Sequence, residues 1–442
     1  MTKHTNIRFD TALTALVQIA DESFGREVAT QGLFLRDANG TLTFILRSAV
    51  EIEARAKFDQ MAKQTLGSYV QGPSATADEL YDSRLENLAA GLLEPVEFSS
   101  GPGFVRILDR RIVGQDWNTP SFSFELKIPI LSFFSCKGGV GRSTALAVAA
   151  AALSDIGQNV MIVDLDLEAP GIGTILLPSD GLPEYGVLDY LVEQGLSPID
   201  SQFLEDCISP SPLTAGRGLV EVMPAVGQRG VGNPQNVLPK LGRAFIDRVG
   251  PDGETHSFMG QVQSLMKAIA ERGRTSVILV DARAGLSESS AAAVVGLGGT
   301  VLMFGVDTPQ TFECYRYLFA QMNRYALDPD VPQDWRFGLQ MVHAKAGRGT
   351  EAYEHFRDQA LNLFAEFLYD EAAPSDLIGF NFDIDDDSAP HYAWPISFDA
   401  DFVEFDPHSR RDQLSREFFD RSFGLFVRNV INNVTTFQGQ VT

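Results

Sequence analysis

The sequence predicts a doubly wound α/β fold with a mostly parallel sheet, preceded by a small α+β N-terminal domain. Three observations predict it. From residue 126 onward, short apolar runs alternate with stretches of helical spacing. One run, 128–134, leads into the glycine loop Ser135-Cys136-Lys137-Gly138-Gly139-Val140-Gly141-Arg142-Ser143-Thr144 and then into an Ala-rich helical stretch. Two others, Val160–Asp164 and Val277–Asp281, end in aspartate. Runs that are apolar almost throughout belong to a parallel sheet covered on both faces. In such sheets ligands bind outside the carboxyl ends of the strands, where the loop and both aspartates fall.

In the first domain, 1–125, apolar spacing predicts a helix over 9–24. Residues 32–46 read as a hairpin around Asp37-Ala38-Asn39-Gly40. Residues 49–66 and 77–93 read as helices and 105–108 as a strand. No chemical motif is legible here. Arg110, Arg111, Asp116 and Trp117 read as a packed domain junction, and 115–123 as a linker. In the second domain, 126–442, strands are predicted at 128–134, 160–164, 219–223, 277–281, 301–306 and 337–343. Helices are predicted at 143–155, 186–195, 258–272, 288–296, 310–325 and 351–368. Gly, Pro and Asn crowd 224–257, which reads as a long irregular insertion. A C-terminal extension, about 370–442, ends in a helical spacing of Phe418, Phe419, Phe423, Phe426, Val430 and Val434.

The 442 residues carry a net charge of −23. Nucleic-acid binding draws on Lys and Arg against phosphates, so this balance argues against a non-specific DNA binder. The acidic runs 383–387 and 399–406 read as solvated surface or loop, and His391 beside the first of them reads as surface rather than metal ligand. No run of 18 apolar residues occurs, so no membrane span is expected. The start, Met1-Thr2-Lys3-His4-Thr5-Asn6, lacks the apolar segment of a secretory signal. Three cysteines, at 136, 207 and 314, make no disulfide framework, and a reducing cytoplasm is the expected setting.

Glycines at 138, 139 and 141 let backbone N–H groups turn inward on an anion, because no Cβ obstructs the turn. The helix N-terminus behind them favours negative charge. Ser143 stands where a hydroxyl binds Mg²⁺. Magnesium takes hard oxygen ligands, and phosphoryl transfer takes a positioned water and cations against the terminal phosphate. The loop, Asp164-Leu165-Asp166 and Asp281-Ala282-Arg283-Ala284-Gly285 supply both.

Together the three pieces resemble the MinD/ParA family of P-loop ATPases. The stretch from Lys137 to Ser143 is similar to that family's deviant Walker A motif, in the variant branch that reads KGGVGR. The resemblance covers roughly 126–345 and implies ATP and Mg²⁺ as cofactors. It implies that Lys137 reaches the nucleotide of the other subunit in an ATP-dependent homodimer. Gly138, Gly139, Val140, Gly141, Arg142, Ser143 and Thr144 are then the nucleotide cradle, with Ser143 on Mg²⁺ and Thr144 on the α-phosphate. Asp166 is implied to position the attacking water, Asp164 and Asp281 to stand in the metal's outer shell, and residues from Gly285 onward to form the switch.

Three positions depart from the family. Arg142 replaces a lysine, and a planar bidentate cation at the phosphates implies slow turnover. Arg283 replaces a proline and reads either as a second phosphate sensor or as a salt bridge to Asp164 or Glu168. His343-Ala344-Lys345 stand where the family has an adenine-reading asparagine, so ATP over GTP is implied by the family alone. Cys136 beside Lys137 has the surroundings of a lowered thiol pKa, but the family varies at this position and redox control is not expected. MinD docks on membranes through a C-terminal amphipathic helix. Here Arg421 and Arg428 are balanced by Glu417 and Asp420, so a helix closing over the core is expected instead. The function implied is an ATP-dependent dimerisation switch with slow hydrolysis, regulating a partner protein in a bacterial multi-component system such as anti-phage defence. The alternative is a ParA-like positioning ATPase for DNA or cargo. A metal-cluster maturation ATPase is disfavoured by the lack of a bridging cysteine pair. A superfamily tyrosine kinase is disfavoured because no tyrosine follows Tyr392.

Overall fold

Strand Ile130–Ser135 is buried along its whole length, as an apolar run covered on both faces must be. In a computed structural model it occupies an inner position of an 8-stranded sheet. The structure describes every residue except 1–6, 89–90, 215, 250–254, 329–330, 332, 348, 372–378 and 442. The sheet order is Trp394–Ser397, Leu339–Ala346, Thr300–Gly305, Ile130–Ser135, Val277–Asp281, Val160–Asp164, Val220–Met223, Ser209–Pro210. Every neighbouring pair is parallel except the last. The chain divides into two compact units, Met1–Asn118 with Gln321–Val331, and Thr119–Ala320 with Pro332–Thr442.

The first unit has a 5-stranded mixed sheet, ordered Ser74–Ala75, Leu42–Ile45, Leu33–Arg36, Gly101–Asp109, Leu92–Phe98. The predicted hairpin is its antiparallel pair Leu33–Arg36 and Leu42–Ile45. Helices Phe9–Phe24 and Ile52–Leu66 cover it through Leu16, Val17 and Phe58, which meet Phe34 and Phe44. Over its described residues the predicted helix 77–93 does not form; 89–90 lie outside them. The Glu79 carboxylate accepts the Thr76 N–H at 2.9 Å, Tyr81 adopts φ 53, and Asp82 caps a short 3-10 helix, Ser83–Glu86. Such local side-chain bonds compete with helix continuation. The run's apolar end joins strand Leu92–Phe98. Arg110 and Arg111 pair with Asp82 and Asp109 at 2.6 and 2.8 Å, while Asp116 and Trp117 are buried. Arg106 pairs with Asp328 of the 321–331 segment at 2.6 Å.

In the second unit, helix Arg142–Asp155 lies on the sheet with Ala145 to Leu153 buried. Alanine side chains let a helix approach a sheet closely. The C-terminal helix Arg416–Val441 packs beside it, burying Phe419, Phe423, Phe426, Val430 and Val434 in the same core. It closes over the core, as its balanced charges imply. The insertion 224–257 is not irregular in its described part. It holds helices Gln228–Gly232 and Val237–Ala244 and a ribbon of Arg248–Val249 with Thr255–His256. Its Gly and Pro residues punctuate short elements, which composition alone reads as loop. The predicted strand 337–343 is Leu339–Ala346, so His343-Ala344-Lys345 lie within it rather than after it. Strands Ser209–Pro210 and Trp394–Ser397 escape sequence reading because each carries a proline and few apolar residues. His391 is buried rather than on the surface, with its ring hydrogen-bonded to the Tyr369 hydroxyl and the Ile384 carbonyl. Among the described residues no helix is long and apolar enough to cross a membrane.

Candidate nucleotide site

Parallel register sets the carboxylates side by side: Asp281 is opposite Asp164 on one neighbour and opposite Phe133 on the other. The loop begins just beyond Phe133, so both aspartates flank its base. Gly139 and Gly141 adopt φ 76 and 95, where an L side chain is strained. Gly141 is the N-cap of helix Arg142–Asp155, and among the described residues no side chain caps that end. The first-turn N–H groups, which lack intrahelical partners, and the positive end of the helix dipole stand beside the cleft. A cleft of about 530 Å³ opens there, lined by 138–144, Asp166 and Lys345, with Ile396, Phe398 and Phe402 as an apolar wall.

Arg142 organises the acids. Its Nε donates to Asp281 Oδ1 at 2.7 Å, Nη2 to Asp166 Oδ2 at 3.0 Å and Nη1 to Ser135 Oγ at 3.2 Å. Ser143 Oγ donates to Asp281 Oδ2 at 2.8 Å. Asp164 Oδ1 accepts the Asp166 N–H at 3.1 Å. Among the described residues, Asp166 Oδ1 is buried without a hydrogen-bond partner. Burial, then the charges of Asp281 and Asp166, push the Asp164 carboxyl well above the usual range. Burial also pushes Asp281 up, against Arg142 and Ser143, which hold it down.

Lys137 turns to Gln310, with Nζ donating to Oε1 at 2.9 Å. Cys136 meets Cys314 of helix Pro309–Ala326; their hydrogen bond, then burial, push the Cys136 thiol up. Arg283 forms an ion pair with Glu168, the salt-bridge alternative of its two readings. Gly285, at φ 90, donates its N–H to the Ser135 carbonyl at 2.9 Å.

The structure thus gathers Ser143, Asp164, Asp166 and Asp281 at the base of the loop. Gly138 to Thr144 line the cleft, with Val140 also part of the core. Arg142 faces the acids instead of standing free for an anion. Sequence reasoning missed Lys345 and the wall at 396–402. Lys345 was visible as a departure after an apolar run, whereas the wall had no signal inside an acidic stretch. Asp399 in that stretch is not simply solvated: it accepts from Ser422 Oγ and Arg421 Nε, each at 2.8 Å. Among the described residues no group of three or more His, Cys, Asp or Glu side chains is arranged to hold a metal ion.

A glycine loop between a buried strand and an uncapped helix, beside two aspartate-ended strands of a parallel sheet, defines the second unit as a P-loop NTPase fold. Residues 128–208 match the ParA family model, described as NUBPL iron-transfer P-loop NTPase. Over those residues the chain is similar to the ParA family. Similar solved structures include the MinD cell division protein of Aquifex aeolicus, at 16% identity over 69% of this chain and 97% of that one, with TM-score 0.42. A ParA family ATPase from Chlorobium tepidum TLS is 14% identical over 71% and 98%, with TM-score 0.41. Cobyrinic acid a,c-diamide synthase from Mycobacterium smegmatis, solved with ADP and magnesium, is 18% identical over 55% and 83%, with TM-score 0.36. At these values the likenesses carry no argument, and the P-loop NTPase fold rests on the glycine loop, its flanking strand and helix, and the strand order.

Proposed function

We propose that this protein binds ATP with Mg²⁺ at the cleft and acts as an ATP-dependent dimerisation switch with slow hydrolysis. One observation carries the reading. The uncapped N-terminus behind Gly141 faces the same cleft as Ser143 Oγ and the buried, unpartnered Asp166 Oδ1. Backbone N–H groups of 138–144 suit the phosphates. Ser143 Oγ and the carboxylates of Asp164, Asp166 and Asp281 are hard oxygen donors of the kind Mg²⁺ takes, directly or through water. When bound, the cation neutralises charge on the phosphates.

The other roles belong to the chain. Asp166 Oδ1 accepts a hydrogen bond from the attacking water and positions it. Arg142 holds Asp281 and Asp166 in the free chain, and that engagement supports slow turnover, because a guanidinium paired with two acids must rearrange to reach an anion. Lys137, exposed at the loop's edge, is assigned to the nucleotide of a second copy. Residues 1–125, or the region after 345, are the parts proposed to meet a regulated partner protein. A bacterial multi-component system such as phage defence suits a switch of this kind. DNA or cargo positioning is the second reading, and the net charge of −23 opposes its DNA form.

The test is calorimetry with MgATP followed by light scattering of the Asp166→Ala protein. Binding by both forms, with the variant held as a dimer by ATP, is the expected result. Absence of ATP binding overturns the reading, and a monomeric ATP-bound variant overturns its dimer part.

A further inference from the structure

We propose that Lys345 is a phosphate-binding cation of this cleft, delivered by a bulge in strand Leu339–Ala346. The inference rests on the nucleotide reading above and adds a residue from outside the glycine loop. Pairing of this strand with Trp394–Ser397 shifts register between His343 and Ala346. Within that shift Lys345 takes φ 53, a left-handed conformation that is costly for a side chain with a Cβ. Strain of this kind persists where surrounding structure enforces it, and it clusters at functional sites. Bulges re-aim side chains beside active sites, and this one sends the lysine to the loop. Its Nζ donates to the Gly139 carbonyl at 2.6 Å, and the residue lines the cleft.

The other cations nearby are held by side chains: Arg142 by Asp281 and Asp166, Arg283 by Glu168, Lys137 by Gln310. Lys345 instead rests on a neutral carbonyl. A lysine is a mobile point charge with three donors. Transfer of its ammonium from that carbonyl to a phosphate oxygen exchanges a neutral acceptor for a charged one, and charge-assisted hydrogen bonds are stronger. Lys345 thereby supplies at the phosphate chain the positive charge that Arg142 directs to the acids.

Calorimetry with MgATP and with adenosine, on wild type and on Lys345→Gly, Lys345→Ala and Lys345→Arg, tests this. Glycine tolerates φ 53, so Lys345→Gly removes the charge while relieving the backbone. Its melting temperature is expected to hold or rise while its ATP affinity falls roughly tenfold or more. Lys345→Ala should lose ATP affinity likewise, Lys345→Arg should restore most of it, and adenosine affinity should not change in any of them. In wild type, ATP but not adenosine should protect Lys345 from acetic anhydride, read by peptide mass spectrometry. Wild-type ATP affinity in Lys345→Gly, or labelling unaffected by ATP, overturns the assignment of Lys345 alone. A wild-type protein that binds no nucleotide overturns the site reading and this inference with it.

Discussion

Arg142 shows how much one side chain decides at this site. Its guanidinium spans Asp281, Asp166 and Ser135, so Arg142→Ala leaves two buried carboxylates without their cation. A loss of about 3–5 kcal/mol is expected, read as a lower urea midpoint at unchanged slope. Arg142→Lys keeps the charge but cannot fork across three acceptors. If the guanidinium is what slows the chemistry, that variant turns over ATP faster than wild type in a steady-state phosphate-release assay. Asp164 gives a pH signature. Its folded carboxyl binds protons more tightly than the unfolded one, which ionises near pH ~4. Between the two values the native state holds more protons, so stability falls with rising pH. The contribution is intact below about pH 4 and is lost as pH rises through the folded value. Asp164→Asn abolishes that loss and keeps an oxygen for the Asp166 N–H. Its melting temperature relative to wild type should climb as pH rises above about 4; a flat difference would contradict the burial argument.

Among the elements, the C-terminal helix Arg416–Val441 is the clearest case of a pattern that sequence reading resolves. Its apolar residues recur at helical spacing and its charges balance, so a buried stripe follows. Phe426 packs edge-on against Phe133 and Phe304, with ring centroids 6.3 and 5.9 Å away. Phe426→Ala opens a cavity beneath the strand that feeds the loop and should cost about 3–5 kcal/mol, measured by chemical denaturation. The stretch 77–93 is the converse case. Its apolar spacing is compatible with a helix, but Glu79 and Asp82 bond to nearby N–H groups and redirect the backbone. The insertion at 224–257 misleads for a different reason: helices of five and eight residues, Gln228–Gly232 and Val237–Ala244, are too short for periodicity to register.

For the molecule as a whole, the first unit is not a continuous stretch of chain. Residues 321–331 belong to it, and Asp328 pairs with Arg106 where both side chains are largely buried. Tyr325 from the same stretch donates to the Trp117 carbonyl. A fragment spanning 1–118 lacks both, so it should melt well below the corresponding transition of the full chain, or without cooperativity, by circular dichroism. An equally stable fragment would contradict that dependence. At the same scale, a ligand that binds only the folded P-loop unit stabilises it by mass action. MgATP at a hundred times its Kd should add about 2.7 kcal/mol, seen as a higher melting temperature in thermal shift.

The alternation of strands and helices, the glycine loop and the aspartate-ended strands were determined by sequence alone, because each depends on neighbours within a few positions. Apolar continuity specifies a doubly covered strand, and glycine specifies a positive φ. What those pieces do to one another was decided only in three dimensions. Arg142 reaches Asp281 across 139 positions, and Lys345 reaches Gly139 across 206. No local pattern encodes such encounters. Strand register sets Asp281 beside Asp164, a bulge turns Lys345 toward the loop, and a proline-bearing strand brings an apolar wall to the cleft. Contacts of this kind follow from how the strands stack and where side chains point once the core has closed.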